Sequence, residues 1–432
     1  MKGRQPTTRG DLLSLTFPLI VGSLLEPIAS VIDNAFVGNL STKWLAALAF
    51  GTMLISSVSW IFNFIVHVTT ESISRVFGGD NREQLVALTQ VVLLTAFFVG
   101  VTGSIAMYLF HPILFSLIGV SSDLEPLTQK YFFIRLLGQP FSILFLASIA
   151  LLRGVSQVKV SMIVMLCASL LNSGINYYLL YFLNLSPEYA AWGTNISMVF
   201  GFLSSIFIYL RKVSIDSLFD KRYFKLGDIL QFSSKSKNLF LRSSFLTAIF
   251  FISTHIAGTV GVVGLAAHQI LLQFWLFSSF FIDGVASLAN IYVSRWSNNR
   301  DRRRVRWLIR ECYIQGVFFA CIFSVVYFLF RDYLFGWFTQ DPLVVSTLVE
   351  LWPLVICSQL INAIAFIIDG CLFGDGAFRF LRNMMFFILL FVFLPFAYYA
   401  YTESSIRLLW VGLIFVSLFR VLIGWQRVNR IH

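Results

Sequence analysis

Long apolar runs alternate with short polar or basic connections from one end of this chain to the other. A helix that crosses a bilayer needs about 20 predominantly apolar residues. By that measure the sequence predicts twelve spans, at roughly 12–37, 44–70, 85–109, 128–151, 159–182, 189–210, 238–258, 264–293, 307–331, 346–370, 377–401 and 406–426. Several are long enough to imply tilt, kinks or protrusion beyond the lipid. A transmembrane barrel would show segments of about ten residues with alternating polarity, and the chain shows none. The expected fold is all-α and integral to a membrane, with twelve transmembrane helices.

Composition agrees. Of 432 residues, 58% are hydrophobic and 12% are charged, and the mean hydropathy is +0.80. A soluble domain carries about 25% charged residues, so a water-soluble enzyme, a disordered chain and a disulfide scaffold are excluded. A net charge of +11 would suggest nucleic acid or acidic lipid in a soluble protein. Here the cations sit between apolar runs, where they set orientation instead. The N-terminus, alternate connections and the C-terminus hold most of the 32 Lys and Arg, while the opposite loops hold Lys43, Lys130, Arg331 and Arg407. Both termini are therefore expected in the cytoplasm, with the protein multi-pass in the inner or plasma membrane. The runs KVSIDSLFDKRYFKLGD and NNRDRRRVRWLIR fall in the cationic connections and read as orientation signals, not as a nucleic-acid surface. The basic start MKGRQPTTRGD leads straight into a full-length span, so no cleaved signal peptide is expected.

Shifting the sequence by 220 residues superposes its halves without a gap. Gly38 falls on Gly258, Leu45-Ala46-Ala47 on Leu265-Ala266-Ala267, Ser74-Arg75 on Ser294-Arg295, Arg82 on Arg302, Gln139 on Gln359 and Gly154 on Gly374. This divides the chain into a first lobe at 1–210, a basic cytoplasmic connection at 211–237 and a second lobe at 238–432. Two parallel six-helix repeats are an arrangement suited to alternating access, which points to a transporter.

Charges at bilayer depth are costly and default to functional candidates. They are Glu26 and Asp33 in the first span, Glu71 near the end of the second, Arg135 in the fourth, Asp283 in the eighth and Asp369 in the tenth. Asn172 and Asn176 lie four apart in the fifth span, on one helical face. Amides both donate and accept, so this pair would hold the Asp33 carboxyl protonated or ionised, as proton coupling requires. A purely structural bond between helices is the competing reading. Pro18 and Gly22 soften the first span, because proline removes a backbone bond. Glu26, Asp283 and Asp369 are secondary cavity acids, or else packing partners. Enzyme chemistry finds no support. The five cysteines make no CxxC and the five histidines no HExxH; neither a GxSxG elbow nor a P-loop occurs. No metal, cofactor or obligate protein partner is indicated.

FPLIVGSLLEPIASVIDNAFVGNLSTKWLAAL resembles the first span and following loop of multidrug and toxic compound extrusion (MATE) transporters. GLAAHQILLQFWLFSSFFIDGVASLANIYVSR and IIDGCLFGDGAFRFLRNMM look like later segments of the same family, in its DinF branch. The resemblance covers essentially the whole chain. It implies antiport in which H+ or Na+ enters while an amphipathic, often cationic drug leaves. It also places a cation or proton-coupling site at Asp33, Tyr131, Asn172, Asn176 and Thr194, and a bending proline at Pro18. Archaeal relatives often carry an acid where Asn176 stands; the amide removes one charge and favours H+. Asp369 falls near an acid of the NorM branch. The expected protein is thus a proton-coupled multidrug exporter with an aromatic, Met-lined cavity. The alternatives are a lipid-linked oligosaccharide or polysaccharide flippase of the same superfamily and, from another class, a membrane-embedded transferase.

Overall fold

The apolar runs are helices throughout. The computed structural model describes residues 6–79, 81–213, 226–298 and 301–431, and among these no strand occurs. In chain order the helices are α1 (Arg9–Gly38), α2 (Thr42–Phe62), α3 (Phe64–Gly78), α4 (Arg82–Leu117), α5 (Glu125–Gly154), α6 (Val158–Tyr177) and α7 (Ala190–Val213). There follow α8 (Leu226–Val260), α9 (Val262–Asn298), α10 (Arg302–Leu329), α11 (Arg331–Gly336), α12 (Pro342–Asp375), α13 (Phe378–Phe387), α14 (Leu394–Thr402) and α15 (Ile406–Val428). One π-helical turn extends α6 over Tyr178–Phe182, and another joins α13 to α14 over Ile388–Phe393. Eleven helical segments among the described residues are long and apolar enough to cross a membrane, and the apolar segment Lys43–Ser57 is shorter. The span expected at 44–70 is two helices, because the α-helical ladder is interrupted at Asn63, where the Val66 N–H, three residues on, donates to the Asn63 carbonyl (3.0 Å).

The described residues form two compact units, one from residue 21 to residue 236 and the other from residues 6–20 together with those from 237 onward. In the first, α5 packs against α2, α3, α4 and α7; in the second, α12 packs against α9, α10 and α15. The expected connection at 211–237 is shorter than the sequence suggested, since α7 runs to Val213 and α8 starts at Leu226; residues 214–225 lie outside the described ones. Residues 6–20, expected in the first lobe, pack with the second unit.

The 220-residue offset recurs in the contacts. The Ser104 hydroxyl donates to the Leu136 carbonyl (3.0 Å), and 220 residues on Ser324 donates to Ile356 (3.2 Å). The edge-on pair Phe115–Phe132 is repeated by Phe335–Trp352. Asn81 caps α4 by accepting from the Gln84 N–H (3.0 Å), and Asp301 caps α10 by accepting from Arg304 (3.2 Å). These bonds satisfy helix-end donors that would otherwise lack partners. Gly154 lies so close to Ile73 that an added Cβ would approach it to 2.6 Å, and Gly374 is likewise 2.7 Å from Val293. Two copies of one packing scheme therefore underlie the two units.

Candidate functional site

Asp33 stands near the C-terminal end of α1, five residues before Gly38, in the part that belongs to the first unit. Helical spacing brings Asn172 and Asn176 of α6 to it together. The Asn172 Nδ2 donates to both carboxylate oxygens of Asp33 (3.1 and 3.0 Å), and the Asn176 Nδ2 donates to Oδ1 at 2.8 Å. Asn176 also donates to the Asn172 Oδ1 (3.3 Å), so the two amides brace one another. Both are buried. Such charge-assisted bonds to a carboxylate are among the stronger ones available to a protein. Their fit depends on Gly193 of α7: a Cβ there would lie 1.9 Å from the Asn176 Oδ1. Sequence reasoning missed Gly193, although it sits beside Thr194 in AAWGTNIS.

Asp33 opens on a cavity of about 180 Å³ within the first unit. Tyr131, Arg135, Asn172 and Thr194 also line it. The Tyr131 hydroxyl lies 3.3 Å from the Thr52 Oγ1, and Gly51 admits its ring, since a Cβ there would be 2.7 Å from Cδ1. Thr194 donates to the Ala190 carbonyl of its own helix (3.4 Å) and makes no bond to Asp33. Asn176 braces the site from behind and is not itself in the cavity wall. Tyr131 and Phe145 are its aromatics and Met165 and Met198 its methionines, set in an otherwise aliphatic wall beside hydroxyl and amide side chains such as Ser30, Asn34, Thr52, Ser56, Ser59 and Gln139.

The remaining depth charges have other employment. Glu71 is buried midway along α3 and bridged by Arg75 (2.7 Å) and by Lys235 of α8 (2.6 Å), so it is a packing acid that ties α3 to α8. Asp369, read as a secondary cavity acid or else a packing partner, is the latter: it is buried between Arg242 of α8 and Arg420 of α15. Its Oδ2 accepts from both guanidinium groups, from Arg420 at 2.7 Å. Arg242 is stacked over Phe373 (5.5 Å) and Arg420 over Phe366 (5.1 Å). An acid held by two cations has no charge left for a cationic substrate. Both arginines interrupt apolar spans in the sequence, which is the signal that could have identified them. Asp283 of α9 is half-buried and near enough to Arg242 to act on its charge. The Glu26 side chain lies outside the described residues. Pro18 is buried within α1, in the part that belongs to the second unit.

A twofold-repeated helical membrane protein with a polar intramembrane cavity around one carboxylate has the construction of a secondary transporter. The chain belongs to the MatE family, whose model matches it twice, over residues 18–178 and 239–399; members of that family are transporters and not enzymes. It is 24% identical over 432 residues to DETOXIFICATION 44, chloroplastic, of Arabidopsis thaliana, covering 97% of this chain and 82% of that protein. To DNA damage-inducible protein F of Escherichia coli K12 it is 22% identical, covering 87% and 82%. Its fold matches the Vibrio cholerae MATE transporter VcmN in the bent form, with a TM-score of 0.86, 17% identity and coverage of 98% and 96%. A Pyrococcus furiosus transporter of the MOP superfamily matches equally well, with a TM-score of 0.86, 18% identity and coverage of 97% and 95%.

Proposed function

We propose that this protein is a proton-coupled antiporter that exports amphipathic small molecules, often cationic, by alternating access, and that Asp33 is its coupling group. The observation that carries this reading is the Asp33 carboxylate, held by three amide hydrogen bonds at the edge of a polar cavity. The ionised carboxylate takes the positive group of a substrate. A proton arriving at the same oxygens removes that attraction, and the substrate leaves. Asn172 and Asn176 remain bonded to either form, because an amide turned about its χ torsion accepts where it had donated. Two amides and one carboxylate supply a single negative charge, which favours H+ over Na+ as the coupling ion. Tyr131 and Thr194 shape the site without touching the carboxylate.

Protonation also weakens the hold of Asn172 and Asn176 on α1, and Pro18 is the point at which α1 then bends. VcmN, a relative in fold, is known in a bent form. The asymmetry of Lys and Arg supports placing both termini in the cytoplasm and the protein in the inner or plasma membrane.

The experiment is efflux from proteoliposomes under imposed pH and Na+ gradients. Asp33→Asn, which cannot titrate, is expected to abolish gradient-driven efflux while folding normally. Undiminished efflux by that variant defeats the coupling assignment, and efflux driven by Na+ alone defeats the choice of proton.

A further inference from the structure

Arg135 plays no part in the cycle just described, yet the protein places a guanidinium in the same cavity as Asp33. A charge at this depth is costly unless paired or solvated. No carboxylate among the described residues lies within ion-pair distance, 4.0 Å, of Arg135. Its partner is a neutral one: Nη1 donates to the Asn195 Oδ1 at 2.9 Å. That partner is itself fixed. The Asn195 Nδ2 donates to the Ile134 carbonyl (2.5 Å), and Gly138 leaves the space it occupies, since a Cβ there would lie 2.0 Å from the Asn195 Oδ1. Gly138, Asn195 and Arg135 thus form a built support that aims a cation at the cavity, and Arg135 remains partly exposed there.

The cavity therefore carries two fixed opposite charges that do not neutralise each other by contact. Hydroxyls and amides share the cavity with them: Thr52, Ser56 and Asn34 among others. A lipophilic cation would meet Asp33 favourably and Arg135 unfavourably. A guanidinium offers a planar fork of donors matched to a carboxylate or phosphate. We propose that Arg135 receives the anionic group of a zwitterionic substrate, of the carboxylate class, whose ammonium group competes with the proton at Asp33. This inference rests on Asp33 as the coupling group and names the substrate class of the same cavity. It also makes the exchange consistent: protonation of Asp33 leaves the ammonium without a partner, so the substrate is then held by its anionic group alone and its affinity falls.

Three probes of nearly one shape separate the charges: benzylamine has the cation alone, benzoate the anion alone, and para-aminomethylbenzoate both. Their concentration-dependent transport is measured in proteoliposomes at a fixed pH gradient, for the wild-type protein, Arg135→Gln, Arg135→Lys and Asp33→Asn. The wild-type protein is expected to show the lowest apparent KM for para-aminomethylbenzoate. Arg135→Gln should raise that value by on the order of ten- to a hundredfold, as loss of a charge-assisted pair implies. It should leave benzylamine unchanged or improved, which also shows that the variant is folded. Arg135→Lys should restore part of the loss, keeping the charge without the fork. Equal effects of Arg135→Gln on benzylamine and para-aminomethylbenzoate reduce Arg135 to a general electrostatic or structural group and overturn the proposal. So does a wild-type preference for benzylamine, or transport of benzoate as good as that of the zwitterion. A selective Arg135→Gln loss beside undiminished gradient coupling in Asp33→Asn would instead fail the coupling reading and leave the anion-binding role of Arg135 intact.

Discussion

One added methyl group distinguishes a site that is held rigidly from one that merely happens to be polar. At Gly193 a Cβ would meet the Asn176 Oδ1 at 1.9 Å, whereas at Gly174, on the same α6 as the two asparagines, nothing lies within 4 Å. Gly193→Ala should cost about 1–3 kcal/mol, the usual range for overpacking, and should weaken gradient-driven efflux by displacing Asn176 from Asp33. Gly174→Ala should leave both unchanged; thermal melting in detergent and proteoliposome efflux make the comparison. Asp369 calls for a different expectation. Removing the acid strands two buried guanidinium groups, and breaking such a pair costs about 3–5 kcal/mol. Asp369→Asn should therefore melt far below the wild-type protein, and a second change, Arg420→Met, should recover part of the loss. Asp33 and its amides were legible in the sequence because a charge at bilayer depth and an i, i+4 amide pair are each visible one helix at a time. The Asp369 cluster was not, since its members come from α8, α12 and α15 and only packing unites them.

Helix α1 is the element on which the proposed switch acts. It runs unbroken from Arg9 to Gly38, yet residues 6–20 pack with the second unit and residues from 21 onward with the first. Near its start the Thr16 hydroxyl donates to the Gln315 Oε1 (2.8 Å), and Arg9 bridges Glu311 at 2.9 Å. Gly284 of α9 lies against Ile20, where a Cβ would come within 2.7 Å of the backbone nitrogen. The lower part of the helix is thus anchored, and Asn172 and Asn176 secure its far end at Asp33. Pro18, two residues before the change of partner, leaves the ladder one bond short where bending demands least. Structures or spin-label distances at high and low pH should show α1 straight and bent respectively, and Pro18→Ala should hold one form at both. Identical α1 conformations across that range would make the proline a static feature. At this scale the sequence was read well where apolarity is continuous and less well where it is not. The span expected at 44–70 continues to Gly78 with a break at Asn63, and a one-residue interruption between Phe62 and Phe64 leaves almost no trace in hydropathy.

The molecule as a whole repeats its framework without repeating its site. Caps, serine-to-carbonyl bonds and glycine contacts recur 220 residues apart. At the same offset from Asp33, Tyr131 and Arg135, however, stand Ser253, Leu351 and Val355. What the second unit keeps at depth are Asp283, half-buried in α9, and Asp369, closed between two arginines and sealed by aromatic rings. Duplication left both copies with the residues that make a bundle pack, while the carboxylate held by two amides at a cavity, Asp33, belongs to the first. Coupling should accordingly depend on one unit alone. Because Asp369→Asn by itself confounds charge with stability, the more informative variant is Asp369→Leu with Arg420→Met, which removes one charge of each sign from the buried cluster, leaves its volume nearly unchanged and strands one guanidinium, Arg242, instead of two. Efflux measured against substrate concentration at two pH gradients should retain its gradient dependence in that double variant and lose it in Asp33→Asn. The reverse pattern, with Asp33→Asn still responding to the gradient and the double variant indifferent to it, would place the coupling charge in the second unit. The arginines at Asp369 would then be the groups that the proton releases.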